Sequence, residues 1–204
     1  MAQSTPSIPL NHAVVTTYSS AVIHNPKAST ADAWNTLIDT STWPEWNRLI
    51  PKVIINSQPN QLEDTGETPL SPVFQRGTKM SLLFNANADN EMNDTTLLEE
   101  SSLVILKAVI TVCEPPTPES NQKGRIAWAV DPQAEGSWPK WLVYAERVHE
   151  IYQDEDGHVK IEDWELQTGI VAYGIRWMMG AKLQRLRQVW IENLKNFLEA
   201  RSQG

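Results

Sequence analysis

The sequence predicts an α+β fold in which a curved antiparallel sheet wraps a long C-terminal helix and leaves a cavity for a small apolar molecule. Residues 170–200 place apolar side chains at steps of three and four, which is the period of an amphipathic helix. The chain before them holds a first segment with a strand-type pattern, two short helical pieces and about six further strand-type segments, separated by turn residues. Strands followed by one helix favour antiparallel pairing over a doubly wound sheet.

Composition limits the organisation and the partners of the chain. Its 204 residues fit a single domain over residues 13–204, preceded by a flexible N-terminus at 1–12. With 25 acidic and 17 basic residues the formal charge is -8, which disfavours nucleic acid and an anionic membrane surface as partners. The lone Cys113 predicts a buried, inert thiol and a reducing compartment, so we expect a cytoplasmic protein. We see no signal peptide and no membrane-spanning stretch.

The first elements follow from β-branched and capping residues. Residues 12–24 are rich in Val, Thr and Ile and predict a strand. Ser29 or Thr30 can cap the short helix that follows. Residues 40–47 predict a second helical piece, and residues 49–56 return as a strand.

The middle of the chain alternates loops and strands. The Pro-rich segment 57–74 is long for a compact domain, and we expect it to be mobile and to gate the cavity. Residues 78–88 predict a strand with one apolar face. Further strands are expected at 95–113 (one bent strand or two), 125–130, 141–153 and 158–168, the last two as a hairpin.

The final helix should turn one stripe of side chains toward the sheet. At about 1.5 Å per residue it is about 45 Å long, and the sheet offers the only large surface that could bury the stripe. The predicted inward residues are Ala172, Ile175, Met179, Leu183, Leu186, Trp190, Leu194 and Phe197. The other faces are predicted to carry Lys182, Arg185, Arg187, Glu192, Lys195 and Glu199.

Four local motifs occur in a fixed order along the chain. The first is residues 31–34 (ADAW) with Asp39 and 43–47 (WPEWN), and the second is Gly77-Thr78. The third is 114–116 (EPP) with 125–128 (RIAW). The fourth is 147–149 (RVH) followed by Gly157, Glu165 and Gly169. Their order and spacing over residues 13–200 resemble the START-like superfamily, also called SRPBCC, and within it the polyketide cyclase/dehydrase-like group. The resemblance implies the helix-grip fold, with a cavity between sheet and helix.

This resemblance leaves function open, because the superfamily contains lipid carriers, hormone binders, cyclases and hydrolases. Segments 57–74 and 131–140 look longer than the family pattern, and we expect both near the cavity mouth.

Strand alternation selects the polar candidates for catalysis. His149 shares a face with Arg147 and Ile151, while Asp163 and Glu165 share a face with Ile161. If these are the concave faces, His149, Asp163 and Glu165 enter the cavity and could transfer protons. The competing interpretation is that the same faces point to solvent.

The predicted ligand-binding residues are mostly apolar. A cavity wall is expected from Met80, Leu82, Phe84, Trp128 and Met179, with Trp46, Tyr144 and Tyr173 as further ligand contacts. We find no phosphate loop, no nucleophile elbow and no zinc motif, and we expect neither metal nor cofactor.

Three classes of function remain. The first is a cofactor-free cyclase, dehydratase or pericyclase-type enzyme, a lyase or isomerase of secondary-metabolite biosynthesis. The second is a non-catalytic carrier or sensor of a lipid or other hydrophobic metabolite. The third is a protein-interaction module. A homodimer is compatible with the sequence, which does not decide the oligomeric state.

Overall fold

The computed structural model describes residues 7–59, 70–89, 103–117 and 122–201. In these residues seven strands form one sheet, and their bounds agree with the predicted segments to within a few residues. The strands are β1 Val15–Ile23, β2 Lys52–Ser57, β3 Lys79–Phe84, β4 Val104–Glu114, β5 Gly124–Val130, β6 Tyr144–Gln153 and β7 Val159–Thr168. The first part of the predicted strand 95–113 lies outside the described residues.

Two short helices follow β1 as predicted. Helix α1, Thr30–Ile38, begins at a capping box in which Ser29 and Asp32 bond each other's backbone N–H groups. A 3-10 turn, Thr40–Thr42, leads into α2, Trp43–Trp46. These elements close one end of the sheet.

The long helix α3, Ile170–Arg201, starts at a tight turn after β7. Gly169 has φ +101°, and a Cβ atom there would lie 2.6 Å from the carbonyl oxygen of Leu142. Only glycine suits both constraints, so the chain turns at this residue directly from the sheet into the helix.

The sheet is antiparallel throughout, in the order β1-β7-β6-β5-β4-β3-β2. Helix α3 packs along β1 and β7 on the concave face, as the helix-grip prediction requires. Ile151 and Ile161 lie in the same buried cluster as Leu186 and Trp190 of α3. The face that carries Ile151 and Ile161 is therefore the concave one.

The core is concentrated at the C-terminal half of α3. Trp43, Trp46, Trp128 and Trp190 are nearly fully buried there and contact one another through tilted and edge-on ring pairs. Such pairs add about 0.5–1.5 kcal/mol each beyond their buried area. The tryptophans of this region thus act mainly as core residues.

The N-terminal half of α3 departs from the predicted stripe. Tyr173, Trp177 and Met178 are 65%, 88% and 76% exposed, and Met179 is 40% exposed although it was predicted to face inward. Arg187, assigned to an outer face, is instead buried. The period identified the helix correctly, but it could not show that the inward side of its first turns faces a cavity.

The structure bears on two expectations about flanking segments. Residues 7–12 were expected to be loose, yet Ile8 is buried and Ser7 donates its backbone N–H to Glu146 Oε2 at 2.6 Å. Residues 60–69 of the expected lid lie outside the described residues. The described ends of that segment are anchored: Phe74 is buried, and Gln58 Nε2 donates to the carbonyl of Val73 at 2.9 Å.

Within the described ranges no helix is both long enough and apolar enough to cross a membrane.

Candidate functional site

A cavity of about 690 Å³ lies between the concave face of the sheet and the N-terminal half of α3. The sheet contributes Phe84, Val104, Ile105, Leu106, Lys107, Val130, Ala145, Glu165 and Gln167 to its lining. Helix α3 contributes Val171, Ile175, Leu183 and Arg187, and Val143 and residues 135–138 complete it. Most of these side chains are apolar, which suits a small hydrophobic ligand. Of the two long segments expected at a cavity mouth, 131–140 supplies part of this lining.

The structure replaces most of the predicted cavity wall. Phe84 lines the cavity, but Met80, Leu82 and Trp128 are buried in the core behind it. Met179, partly exposed on α3, is not part of the lining. Met80, Leu82 and Trp128 pack against other large core side chains, which fill the space that was predicted to hold a ligand.

The three further predicted ligand contacts also lie elsewhere. Tyr144 points to the convex face, where it packs with Ile8 and Leu166. Tyr173 faces outward from α3. Trp46 lines a second cavity of about 510 Å³ between α2 and the C-terminal half of α3. For Tyr144, strand alternation gives two faces without showing which one is concave, and for the helical residues Trp46 and Tyr173 it carries no information.

The concave face of β6 and β7 carries a row of ionisable side chains. Arg147 stands opposite Glu165 in the strand register, and His149 stands opposite Asp163. Arg187 reaches this row from α3. All five side chains are buried, which is uncommon for charged residues unless they are paired.

Asp163 and Arg147 form the inner pair of the row. Arg147 Nε and Nη2 donate to the two carboxylate oxygens of Asp163 at 2.8 and 2.9 Å. His149 Nδ1 lies 3.2 Å from Asp163 Oδ1. The imidazole stands between the rings of Trp128 and Trp190, with centroid distances of 4.4 and 4.6 Å. The guanidinium carbon of Arg147 lies 4.4 Å from the centroid of Trp190.

Burial and charge fix the protonation states of this inner layer. Burial lowers the pKa of His149 well below its ordinary value, and the attraction of Asp163 does not offset it. Burial is the largest single influence on the pKa of Asp163 and would raise it, but the charge and hydrogen bonds of Arg147 together with the other nearby positive groups outweigh burial, and the pKa is lowered. At neutral pH the layer therefore holds a carboxylate, a guanidinium and a neutral imidazole.

Glu165, Gln167 and Arg187 form the outer layer, which lines the cavity. Arg187 Nη2 donates to Glu165 Oε2, and Gln167 Nε2 donates to Glu165 Oε1 at 2.5 Å. Both oxygens of the carboxylate are thereby engaged, so Glu165 holds the two neighbouring side chains in place.

Several buried polar atoms of the two layers have no hydrogen-bond partner among the residues that the structure describes. They are Arg187 Nε and Nη1, Arg147 Nη1, Gln167 Oε1 and both ring nitrogens of His149. Buried donors and acceptors are normally satisfied, and each exception costs about 1–3 kcal/mol. Such groups are typical of functional sites.

Of the three residues predicted for acid–base chemistry, Glu165 alone reaches the cavity lining. His149 and Asp163 occupy the predicted face but lie in the inner layer. Arg187 was missed as a site residue because the helical pattern placed it on a polar face. The one sequence signal for its inward position was its spacing: Arg187 lies three positions before the predicted inward residue Trp190, and so close to the same helix face.

A group of possible metal ligands lies far from this cavity on the turn between β6 and β7. Asp154, Asp156 and His158 bring their ligand atoms within 4.8 Å of one another. Asp154 Oδ1 already accepts from the backbone N–H groups of Asp156 and His158, at 3.1 and 2.8 Å. The presence of Asp154 is explained by the turn that its carboxylate stabilises.

Comparison with solved structures identifies the fold. A hypothetical protein of Helicobacter pylori, jhp0584, superposes with a TM-score of 0.64 at 12% identity, over 97% of this chain and 98% of that one. A START superfamily protein of Mycobacterium smegmatis gives 0.52 at 12% identity, over 92% and 97%. The aromatase/cyclase StfQ of the steffimycin pathway gives 0.53 at 12% identity, over 95% of this chain and 54% of its own two-domain chain. At these identities the likeness shows the fold alone.

Sequence comparison identifies a relative. No protein-family model matches the chain. The oxopyrrolidines biosynthesis cluster protein O of Penicillium oxalicum is 34% identical over 203 residues, covering 96% of this chain and 92% of the relative. The chain therefore has the START-like helix-grip fold and belongs to the family of that biosynthesis cluster protein.

Proposed function

We propose that the protein binds a small, mostly apolar metabolite in the main cavity and acts on it as a cofactor-free cyclase, dehydratase or pericyclase-type enzyme. The observation that carries the proposal is an apolar cavity of about 690 Å³ with one buried Glu165–Arg187 pair in its wall. The family supports a role in secondary metabolism, since the relative is named for a cluster that makes oxopyrrolidines. StfQ, a cyclase by name, has the same fold.

Such a reaction makes limited demands on the protein. A cyclisation or pericyclic step rearranges bonds within one molecule, so it requires no external oxidant or reductant. The cavity can hold a flexible substrate near its reactive conformation, which lowers the entropic part of the barrier. Glu165 and Arg187 supply opposite charges at fixed positions, where they can stabilise charge that develops in the transition state.

We assign different tasks to the predicted acid–base residues. Glu165 is the candidate catalytic residue, because it is the buried carboxylate in the cavity wall. Asp163 and His149 are positioning residues. Asp163 accepts two hydrogen bonds from Arg147, whose charge is repelled by Arg187 and attracted by Glu165 of the outer layer. His149 packs between Trp128 and Trp190 beside Asp163. A neutral, fully buried His149 is poorly suited to exchange protons with a ligand in the cavity.

The binding part of the proposal is tested by filling the cavity. Ala145→Trp replaces a methyl group in the lining with an indole, whereas Ser20→Trp adds the same indole at an exposed position of β1 as the control. Native mass spectrometry with metabolites extracted from the source organism should show an adduct with the wild type and the control but not with Ala145→Trp. An adduct that persists in Ala145→Trp would place binding elsewhere.

The catalytic part is tested with the same extracts. Incubation should convert the bound compound into an isomer or a dehydrated product, and Glu165→Gln should slow turnover by about 10²–10⁴-fold if Glu165 transfers a proton. A ligand recovered unchanged would favour the second candidate, a carrier or sensor of a hydrophobic metabolite. That candidate draws support from the engagement of both Glu165 oxygens in hydrogen bonds. For either role we propose a cytoplasmic location.

A further inference from the structure

The polar end of the main cavity has a hydrogen-bonding pattern of its own. Arg187 presents donors at Nε and Nη1, and Gln167 presents an acceptor at Oε1; none of these atoms has a partner among the described residues. Both side chains line the cavity, and both are tied to the same Glu165 carboxylate. An unpaired donor and an unpaired acceptor thus belong to two side chains that one carboxylate holds in the cavity wall.

The orientation of the Gln167 amide is fixed by its neighbour. Glu165 Oε1 can only accept a hydrogen bond as a carboxylate, so the Gln167 NH₂ group must face it at 2.5 Å. The Gln167 oxygen therefore points away from Glu165 and is left to accept from another group.

The charges of the two layers already balance. Arg147 is paired with Asp163 and Arg187 with Glu165, and these four side chains are buried. An additional charge in this wall would have no counter-charge in the two layers, and an unpaired buried charge is strongly unfavourable. The other charged residues of the lining, Lys107 of β4 and Glu135 of the loop that follows β5, lie outside the two layers. A neutral ligand group that offers both an acceptor oxygen and a donor hydrogen therefore fits this end of the cavity best.

We propose that Arg187 and Gln167 select a neutral ligand head group with an adjacent carbonyl oxygen and N–H or O–H hydrogen, such as an amide, a lactam or an enolised carbonyl. The carbonyl oxygen accepts from Arg187, and the hydrogen is donated to Gln167 Oε1. The remainder of the ligand is apolar and lies along Val130, Ile175 and Leu183. This inference rests on the proposed function, since it assumes that the ligand occupies this cavity.

The test uses three probes with the same ten-carbon acyl chain and different heads. Decanamide carries donor and acceptor, methyl decanoate carries acceptors only, and decanoate is an anion. Each displaces the neutral dye N-phenyl-1-naphthylamine from the wild-type protein, and the affinity is read from the loss of dye fluorescence. We expect decanamide to bind most tightly and decanoate most weakly. Tightest binding by decanoate would overturn the neutral head group.

Two substitutions separate the roles of the residues. Arg187→Met should weaken decanamide by about 10- to 100-fold, the usual effect of losing hydrogen bonds to a charged group, while dye affinity is retained. Gln167→Leu should abolish the preference for decanamide over methyl decanoate. Lys182→Met removes a positive charge from the same helix outside the cavity lining and should leave all affinities unchanged.

Folding failure can be distinguished from loss of the head-group site. Arg187→Met leaves Glu165 without its cation, so the double variant Glu165→Leu/Arg187→Met removes the pair together and should show the same loss of decanamide binding in a folded protein. Equal decanamide affinity in wild type and double variant would overturn the inference while leaving the cavity proposal intact. If the wild type binds neither dye nor probes, the cavity proposal fails and the inference fails with it.

Discussion

The buried Asp163 carboxylate makes Arg147 a sensitive position for folding stability. Arg147 supplies its two short hydrogen bonds, at 2.8 and 2.9 Å, whereas Ser19 Oγ lies 3.4 Å away. Arg147→Met keeps the length of the aliphatic stem and removes the charge. The carboxylate is then left buried and unpaired, which costs about 3–5 kcal/mol. For a chain of this size that corresponds to a fall in Tm of about 6–20 °C.

The loss of unfolding free energy in Arg147→Met should depend on pH, and the pKa of Asp163 gives the sign of that dependence. In the wild type the pKa of Asp163 is lowered, so its contribution to stability is present above the unfolded value of about 4 and is lost as the pH falls through the folded value. Without Arg147, burial should raise the pKa instead, and the folded state would then take up a proton more readily than the unfolded chain. The stability gap between Arg147→Met and the wild type should therefore narrow as the pH is lowered.

Urea unfolding followed by far-UV circular dichroism measures these differences. The double variant Arg147→Met/Asp163→Leu should recover most of the loss, because replacing both members of a buried pair is often neutral. Lys195→Met is the matched control, since its contact with Glu199 is a surface pair at 3.8 Å that contributes less than about 0.5 kcal/mol. A loss below about 1 kcal/mol in Arg147→Met, or a double variant as unstable as the single one, would refute the reasoning.

Three further outcomes follow from burial. The pKa of His149 is lowered, so below about pH 6.5 the unfolded chain binds a proton that the folded protein does not. The free energy of unfolding should therefore fall by up to about 1.4 kcal/mol for each unit by which the pH decreases. In urea unfolding, the midpoint of His149→Phe should lack this part of the pH dependence. Trp190→Ala should cost about 3–5 kcal/mol, whereas Trp177→Ala should change the unfolding free energy by less than about 0.5 kcal/mol; equal losses would contradict the observed orientation of α3. Burial raises the pKa of Cys113 to about 11. Its reaction with Ellman's reagent near pH 8 should therefore be about 10²-fold slower than that of free cysteine, whereas a fast reaction would show an accessible thiolate.

The fold was predictable because each element carries a local signal. β-branched runs, the Ser29 cap and the three- and four-residue steps of the last helix depend on short-range geometry, and the structure reproduces these elements. The resemblance supplied the topology, which local patterns do not contain. The residues of the cavity wall were harder to predict from the sequence. Met80, Leu82 and Trp128 lie on the correct face, but their contact with a void or with other core residues depends on the packing of distant elements.

The candidate site shows the same division. Strand alternation placed His149, Asp163 and Glu165 on one face, and the register between β6 and β7 brings His149 opposite Asp163. Alternation cannot show depth, however, and depth separates Glu165 in the cavity wall from the other two. Arg187 was missed for a related reason: a charged residue on a helix is assigned to solvent unless its partner is known, and Glu165 is 22 residues away in sequence.

The two halves of α3 have different environments, which explains its composition. Leu186, Trp190, Leu194 and Leu198 anchor the C-terminal half in the core. In the N-terminal half, Val171, Ile175 and Leu183 face the cavity, so the inward side of these turns is not packed against a solid core. Apolar side chains on both sides of these turns blur the amphipathic pattern from which burial is predicted. Arg187 stands where the halves meet, and its pairing with Glu165 joins the anchored half of the helix to the cavity wall. A charged residue at this boundary can therefore contact a ligand while being held by the core, which is the arrangement that a specific binding site requires.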